Sequence, residues 1–459
     1  MTSRHTPLLA AVFTLCVCVA SASAQTLYRL RYICVSGGPG CTLYDLNDAA
    51  RAVGGQFGGA GGRIWDPRTG WRPLPPLPGA PNPVGPWGIN DLGQVCGQGQ
   101  NAAGGLEAFF WDEASGITPL GEIMDILPHG YNSFAIAINN RGHVTGSGRW
   151  YAYGHGLVQM AFLWQPETGM IPLGGVPGGL EWTYGQGIND HDAVVGVAYL
   201  TGTRTTGFLW TPETGMLDLS TIAAPPDWRV VRARNINNFG QIVGNAQPRS
   251  GAIGVGFFWD PMLGFRTLGA YPSPATDPRD INNAGVVVGR AGGPPFYAFR
   301  WDMRGGLRDL NKLLDAESWG RRTRVLDTGH AINDRGQVLV SWSSSESAIL
   351  TPFVLGDMND DGLVNAWDIA GFAEVLVDRE AFAAARPDCW HEGWAADLNQ
   401  DARIDVRDID PFLRAIADFS GPKLPAWNCP INLPAHAGDT THDQNAELPP
   451  RARPGSAGE

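Results

Sequence analysis

Two stretches near the C-terminal end of this 459-residue chain carry oxygen-bearing side chains at a spacing that suits a hard metal cation. Residues 357–368 read DMNDDGLVNAWD, and residues 397–408 read DLNQDARIDVRD. Each stretch places Asp or Asn at its first, third, fifth, ninth and twelfth positions, and the backbone carbonyl of the seventh position adds another oxygen. Loops of this kind wrap calcium, which takes about six to eight oxygen ligands. The two stretches therefore predict two Ca²⁺ sites.

The two loops differ at the sixth position, where an EF-hand loop turns most sharply. That position is Gly362 in the first loop and Ala402 in the second, and a Cβ in a left-handed turn costs about 1 kcal/mol. The second loop compensates with four carboxylates against three in the first. The predicted ligands of the first loop are Asp357, Asn359, Asp361, Leu363, Asn365 and Asp368. Those of the second loop are Asp397, Asn399, Asp401, Arg403, Asp405 and Asp408, with Leu363 and Arg403 acting through their backbone carbonyls.

Apolar residues at helical spacing follow each loop, and no helical pattern leads into either. They are Ile369, Phe372 and Leu376 after the first loop, and Ile409, Phe412, Leu413 and Ile416 after the second. Two such loop–helix halves, about 40 residues apart, resemble a type I dockerin module over residues 354–420. The resemblance implies one calcium ion per half and a cohesin-like or other extracellular protein as partner, although the Lys-Arg and Leu-Leu phrases of cellulosomal dockerins are absent.

Most of the chain consists of a repeat that contains the phrase Ile-Asn-Asn or Ile-Asn-Asp. Successive copies are about 48 residues apart, a period that is typical of propeller blades. The aligned residues are Asn47, Asn90, Asn139, Asn189, Asn237, Asn282 and Asn333. A complete unit contains four strand-like phrases, and only the last unit lacks the fourth. We therefore predict a seven-bladed β-propeller over residues 25–353, in which the N-terminal strand LYRLRYICV completes the seventh blade and leaves no open edge.

The ordered phrases INN-x-G-x-VVG, AFLW and TGM-x-DLG resemble the HAF family of extracellular repeat proteins, over roughly residues 26–352. This resemblance implies an exported β-propeller-like domain and says little about activity. The recurring tryptophans are expected to pack in the blade core rather than to bind sugars; they are Trp65, Trp111, Trp164, Trp210, Trp259 and Trp301.

The N-terminal residues 1–24 read as a secretory signal peptide, with Arg4, an apolar run over Leu8–Ala20 and small residues before Gln25. The run is too short to span a bilayer, so we expect a secreted protein without a membrane span. Removing this segment leaves a net charge of −13, which disfavours a nucleic-acid partner. Residues 421–459 are rich in Pro, Ala, Gly and charge, and are predicted to be a mostly disordered tail.

Export permits disulfides. Cys34 and Cys41 are close enough in sequence to pair across a turn, and Cys389 and Cys429 are candidates for a second pair. Cys96 lies in a strand pattern and is predicted to be a small buried side chain.

One position of the repeat varies where its neighbours do not. Three residues before each aligned Asn stand Tyr44, Trp87, Ile136, Gln186, Arg234, Arg279 and His330. The simpler interpretation, which we favour from sequence, is a solvated strand end that is free to vary. The alternative is a ring of side chains near the mouth of the propeller.

The sequence contains no His-Glu-x-x-His, Gly-x-Ser-x-Gly or phosphate-loop motif. The favoured hypothesis is a non-catalytic extracellular binding or scaffold protein, whose calcium-binding module attaches it to a partner. The alternative, suggested by the dockerin resemblance, is a carbohydrate-active enzyme that degrades polysaccharide. That enzyme needs two or three carboxylates that converge on the central channel.

Overall fold

A computed structural model describes residues 26–34, 41–56, 61–121, 132–152, 156–201, 204–251, 254–269, 275–321, 324–343, 346–359, 364, 366–385, 394–400 and 403–417. The predicted leader (1–24), the predicted tail (421–459), Cys389 and Cys429 lie outside these residues.

The described chain forms seven antiparallel sheets of four strands each, which confirms the predicted seven-bladed β-propeller. The seventh sheet consists, in order, of β1 (Leu27–Cys34), β28 (Glu346–Phe353), β27 (Val338–Ser343) and β26 (Thr328–Ile332), so the N-terminal strand supplies the strand that the last repeat lacks. β1 pairs with β28 from Leu27, opposite Phe353, to Cys34, opposite Ser347. The predicted closure of the ring is therefore confirmed, and it joins the two ends of the repeat region.

The strand bounds follow the four phrases of the repeat. The first three blades comprise β2 (Cys41–Leu46), β3 (Ala52–Gln56), β4 (Gly61–Asp66), β5 (Gly70–Pro73); β6 (Gly85–Ile89), β7 (Val95–Gln100), β8 (Leu106–Asp112), β9 (Gly116–Pro119); and β10 (Ser133–Ile138), β11 (Val144–Ala152), β12 (Gly156–Gln165), β13 (Gly169–Pro172). The next three comprise β14 (Thr183–Ile188), β15 (Val194–Tyr199), β16 (Thr205–Thr211), β17 (Gly215–Asp218); β18 (Trp228–Ile236), β19 (Ile242–Pro248), β20 (Val255–Asp260), β21 (Gly264–Thr267); and β22 (Thr276–Ile281), β23 (Val287–Ala291), β24 (Tyr297–Asp302), β25 (Gly306–Asp309). The seventh comprises β26 (Thr328–Ile332), β27 (Val338–Ser343), β28 (Glu346–Phe353) and β1 (Leu27–Cys34).

The first strand of each blade lines the central channel, because it contacts the first strands of both neighbouring blades. The second, third and fourth strands follow outward in chain order. A short helix α1 (Leu219–Ile222) follows the fourth blade, and α2 (Ala316–Arg321) follows the sixth. The propeller therefore presents the start of every repeat phrase to the channel.

The hydrophobic core is divided into seven clusters, each of which joins two neighbouring blades. Four of the recurring tryptophans, Trp65, Trp111, Trp164 and Trp301, are buried in these clusters. Trp210 and Trp259 pack against them as partly buried residues. The prediction that these side chains belong to the blade core is confirmed.

The turn after each first strand requires a left-handed residue three positions after the aligned Asn. Five blades place Gly there, for example Gly240 at φ +74°. The two blades that lack Gly have Ala50 at φ +55° and Asp192 at φ +61°, and three non-Gly residues in all adopt positive φ among those described. The repeat thus enforces the same turn even where the sequence departs from Gly.

The C-terminal segment contains the exit helices predicted from its apolar spacing. α3 (Ile369–Val377) follows the first predicted calcium loop, and α5 (Ile409–Ala417) follows the second. A further helix, α4 (Arg379–Ala385), is not predicted from the sequence. Phe372 and Phe412, which occupy equivalent positions of the two halves, stack with ring centroids 3.9 Å apart.

This segment shares a core with the seventh blade. Leu27 and Phe353 from the paired end strands belong to the same buried cluster as Val354, Met358 and the stacked phenylalanines. The predicted apolar face is only partly buried, because Ile369, Ile409 and Leu413 remain 48%, 38% and 57% exposed.

Cys34 and Cys41 form the predicted disulfide, which links the closing strand β1 to the first blade. Cys96 is free and fully buried, as predicted. Within the described part of the chain, none of the helices has the length and apolar character needed to cross a membrane.

Candidate functional site

A β-bulge interrupts the first strand of every blade at the same position. The pairing between first and second strands skips one residue, which lies three positions before the aligned Asn. The skipped residues are Tyr44, Trp87, Ile136, Gln186, Arg234, Arg279 and His330. A bulge leaves one residue out of the ladder and re-aims its side chain. The variable position of the repeat is therefore the bulged position.

The second strand accommodates the bulge with glycine. In the fourth blade a Cβ at Gly196 would collide with the carbonyl oxygen of Tyr184 on the first strand. The equivalent glycines of five other blades, such as Gly146 and Gly244, would meet the same backbone obstacle. The seventh blade has Val340 there and instead places Gly329 on the facing strand. The Gly of the VVG phrase thus permits close approach of the two backbones.

The seven bulged side chains surround one cavity of about 310 Å³ in the central channel. Asp45, Ala137, Asn235 and Asp280, from the adjacent register, complete its lining. The interpretation of this position as a solvated strand end is wrong, and the alternative of a ring of side chains is confirmed. The physical reason is the bulge, which takes this residue out of the regular alternation of the strand and turns its side chain into the channel.

One side of the cavity is cationic. Arg234 and Arg279, from the fifth and sixth blades, share the carboxylate of Asp277, at 3.4 Å and 3.2 Å. Burial lowers the pKa of both guanidinium groups, an effect that the proximity of Asp277 opposes. The Nε atom of Arg234 is buried and makes no hydrogen bond to any described residue. Two guanidinium groups thus share a single carboxylate.

His330 of the seventh blade extends this side as a neutral group. Its Nε2 lies 2.8 Å from the hydroxyl of Ser341. Burial, followed by the charges of Arg279 and Arg290, lowers the pKa of His330 to about 4. The imidazole is therefore uncharged near neutral pH and serves as a hydrogen-bonding group.

The opposite side of the cavity is aromatic and apolar. Tyr44 and Trp87, from the first and second blades, have ring centroids 4.4 Å apart. Ile136 of the third blade continues this surface, and Gln186 of the fourth blade separates it from the cationic side. The indole Nε1 of Trp87 is buried and has no hydrogen-bond partner among the residues that the structure describes.

Two carboxyl groups also reach the cavity, but both oxygens of each group accept hydrogen bonds from backbone N–H groups. Asp45 accepts hydrogen bonds from the N–H groups of Leu46 and Ile89, at 2.8 Å and 2.9 Å. Asp280 accepts from Ile281 and Ile332, at 2.8 Å and 2.7 Å. Each carboxyl thereby ties its own blade to the next.

Both groups are buried, and burial raises the pKa of Asp45 to about 7 and that of Asp280 to about 6. The charge of Asp280 further raises the pKa of Asp45, whereas the N–H groups of Ile89 and Leu46 lower it. Part of the negative charge in the cavity is therefore suppressed below neutral pH.

The aligned Asn residues line one end of the channel and are joined by a ring of hydrogen bonds that is not among the sequence-based predictions. Each Asn side-chain amide donates to the backbone carbonyl of the aligned Asn in the next blade, at 2.8–3.0 Å. The ring closes where Asn333 donates to Asn47. The same Asn side chains also accept backbone N–H groups of their own turns. Invariance of Asn across the seven copies was the available signal.

A second ring lies one residue further along. The residue after each aligned Asn donates its N–H to the side-chain oxygen of its counterpart in the next blade, at 2.7–2.9 Å. The members are Asp48, Asp91, Asn140, Asp190, Asn238, Asn283 and Asp334. This explains why Asp and Asn alternate freely at that position, since either supplies an oxygen.

The described parts of the first predicted calcium loop close on its twelfth position. Asp368 is fully buried and accepts hydrogen bonds from the N–H groups of Met358 and Asn359, at 2.7 Å and 3.2 Å. The first and twelfth residues, Asp357 and Asp368, are both buried. Asp361, Leu363 and Asn365 lie outside the described residues.

The second loop closes in the same way. Asp408 is buried and accepts from the N–H groups of Asn399 and Asp405, at 3.1 Å and 2.9 Å. The Asp405 side chain pairs with Arg407 at 2.7 Å, while Arg403 is exposed and Asp401 lies outside the described residues. In the portion of the chain that is described, no three His, Cys, Asp or Glu residues form a metal-holding group. Each of the two predicted loops thus closes on a buried Asp at its twelfth position.

No family model matches this chain, and no curated protein matches it. Solved structures similar to it include virginiamycin B lyase from Staphylococcus aureus (10% identity, 71% of this chain and 99% of that chain, TM-score 0.42). A puromycin hydrolase is 12% identical over 70% of this chain and 54% of that chain, with a TM-score of 0.45. TolB from Acinetobacter baumannii is 12% identical over 62% of each chain, with a TM-score of 0.34. What those proteins act on says nothing about the ligand of this chain.

Proposed function

We propose that this protein is an exported, non-catalytic binding protein whose propeller holds a small anionic molecule in the central cavity. The observation that carries the proposal is the convergence of seven bulged side chains on one cavity. Bulges are often found beside binding and active sites, where they aim side chains. A purely structural ring would not require the most variable position of the repeat to face a cavity.

The charge of the cavity supports an anion. Arg234 and Arg279 share Asp277, and burial makes their positive charge costly unless a further anion lies nearby. Asp45 and Asp280 compensate only in part, since their oxygens already accept backbone hydrogen bonds. A small anion in the cavity would relieve this imbalance.

The alternative of a polysaccharide-degrading enzyme finds less support. It requires carboxylates that are available to act as acid and base. Asp45 and Asp280 do reach the cavity, but each is engaged at both oxygens by the backbone. These two groups therefore serve blade-to-blade attachment better than proton transfer.

We further propose that the C-terminal segment binds two calcium ions and attaches the propeller to an extracellular protein. The closure of both loops on Asp368 and Asp408 supports calcium. Trp367, Val377 and Val406 are 75%, 86% and 75% exposed, which supports a protein partner for this segment.

The test of the anion proposal is isothermal titration calorimetry of the purified exported protein with a panel of small organic and inorganic anions. We expect one-to-one binding of at least one anion, and a loss of at least tenfold in affinity in Arg234→Met and Arg279→Met. Arg266→Met is the matched control, because Arg266 is exposed on the outer strand of the same blade as Arg234. Binding that survives both cavity substitutions, or no binding by any anion, would overturn the proposal.

A further inference from the structure

The order of the blades divides the cavity into two halves of different chemistry. Among the seven bulged side chains, the aromatic and apolar ones come from the first three blades, and the cationic or imidazole ones come from the fifth, sixth and seventh. Asp45 adds one carboxyl group to the first half, and Asp280 adds one to the second. Gln186 of the fourth blade lies at the boundary. A ligand that fills the cavity must therefore be amphipathic, with an anionic end and a flat apolar end.

The size of the cavity suits a single ring with a substituent. A cavity of about 150 Å³ holds benzene, and this cavity measures about 310 Å³. A benzene ring with a short acidic substituent therefore fits inside it. The tilted pair Tyr44 and Trp87 offers the flat faces against which such a ring packs.

The donors in the cavity favour a carboxylate at the anionic end. The Nε atoms of Arg234 and Arg279 and the Nε1 of Trp87 are buried and make no hydrogen bond to any described residue. The Nε of Arg279 still lies at ion-pair distance from Asp277, 3.2 Å, so both guanidinium groups face the same carboxylate. The planar fork of an arginine matches the two oxygens of a carboxylate in one plane.

We propose that the ligand of the central cavity is a single-ring aromatic carboxylate. Its carboxylate lies against Arg234 and Arg279, and its ring packs beside Tyr44, Trp87 and Ile136. This inference rests on the proposed anion-binding function and narrows it to one chemical class. No bond is formed or broken in the binding step.

The experiment titrates the full exported protein with benzoate, phenylacetate, benzamide, acetate and inorganic phosphate by calorimetry. We expect benzoate or phenylacetate to bind at least tenfold more tightly than benzamide, which lacks the charge, and than acetate, which lacks the ring. Arg279→Met should abolish the preference over benzamide, and Trp87→Leu should abolish the preference over acetate. Arg266→Met should change neither, and thermal unfolding of each variant shows whether it has folded.

The outcomes separate the two proposals. If phosphate or acetate binds as tightly as benzoate, and Arg279→Met abolishes that binding, the aromatic class is wrong while anion binding stands. If benzamide binds as tightly as benzoate, the carboxylate is not recognised and this inference fails. If none of the five probes binds, the aromatic carboxylate class is overturned, and the wider anion panel then decides the function.

Discussion

The ring of aligned Asn residues should contribute measurably to the stability of the propeller, and Asn189 allows the clearest test. Its Nδ2 donates to the carbonyl of Asn237 at 3.0 Å, across the interface between the fourth and fifth blades. Its Oδ1 accepts from the N–H groups of His191 and Ala193, both at 3.0 Å, within its own turn. Asn189→Ala therefore removes one bond between blades and two local bonds.

Asn101 is a natural control, because it builds the same turn and its side chain makes no hydrogen bond to another blade within the described part of the chain. Its Oδ1 accepts from Ala103 and Gly105 at 3.1 Å and 2.9 Å, two and four residues ahead, as in the Asn189 turn. Asn101 is partly exposed, whereas Asn189 is 5% exposed. A net hydrogen bond is worth about 1 kcal/mol, and a buried polar group left unpaired costs about 1–3 kcal/mol. We expect Asn101→Ala to cost about 1 kcal/mol and Asn189→Ala about 3 kcal/mol.

Asn189→Asp tests the hydrogen bond between blades separately from the two local hydrogen bonds. The carboxylate can still accept both local hydrogen bonds, from the N–H groups of His191 and Ala193. It has no N–H to donate, however, and places a negative charge beside the carbonyl of Asn237. We expect Asn189→Asp to destabilise nearly as much as Asn189→Ala, and Asn101→Asp to be close to neutral. Urea unfolding followed by tryptophan fluorescence measures all four variants. Equal losses for the two Ala variants, or a neutral Asn189→Asp, would refute the role of the ring.

Three further predictions concern calcium, ring closure and pH. Calcium should raise the thermal midpoint of the full chain, and Asp357→Ala and Asp368→Ala should weaken this more than Asp397→Ala and Asp408→Ala, because Gly362 favours the first loop; calorimetry without heat of calcium binding would contradict the sites. Deleting residues 26–34 exposes the edge of β28 and should cause aggregation, so a soluble and equally stable truncation would count against closure by β1. The raised pKa of Asp45, about 7, means that the folded state holds a proton that the unfolded state has released. The stability that this proton contributes should therefore fall as the pH rises from about 4 to about 7 and be lost above that range, while His330, whose pKa is lowered, opposes the fall up to about pH 6.5. Urea unfolding of Asp45→Asn beside the unmodified protein isolates the carboxyl, and an unchanged slope with pH would disprove this assignment.

Much of the propeller was predictable because the same pattern of strand-like phrases occurs in seven copies. Strand order, blade number and closure by the N-terminal strand all followed from the four phrases and the missing final strand. The disulfide between Cys34 and Cys41 and the buried Cys96 followed from local spacing and pattern. These features depend on neighbouring residues or on period, which sequence displays directly.

The cavity was harder to predict because it depends on a backbone irregularity. A regular strand would alternate its side chains, and the bulge at Gln186 breaks that alternation. Two features of the sequence are connected with the bulge: the variation in residue type at the bulged position, and the Gly that faces it on the second strand, such as Gly196. Neither indicates by itself that the seven side chains share one cavity, because that follows only from closing the ring.

The two halves of the repeat phrase thus have separate tasks. The Asn and the residue after it connect each blade to the next through side-chain and backbone hydrogen bonds, so every copy needs an oxygen, and at the first position also an amide donor. The bulged residue forms no part of those rings and faces the cavity, so its type is set by what the cavity must hold. A propeller built in this way can change its ligand by changing the bulged side chains, while the bonds between blades stay the same. Asp45 and Asp280 cannot be exchanged in this way, because they both line the cavity and connect neighbouring blades through hydrogen bonds. Substitutions there should therefore alter stability and binding together, whereas substitutions at Arg234 or Trp87 should alter binding with little effect on stability.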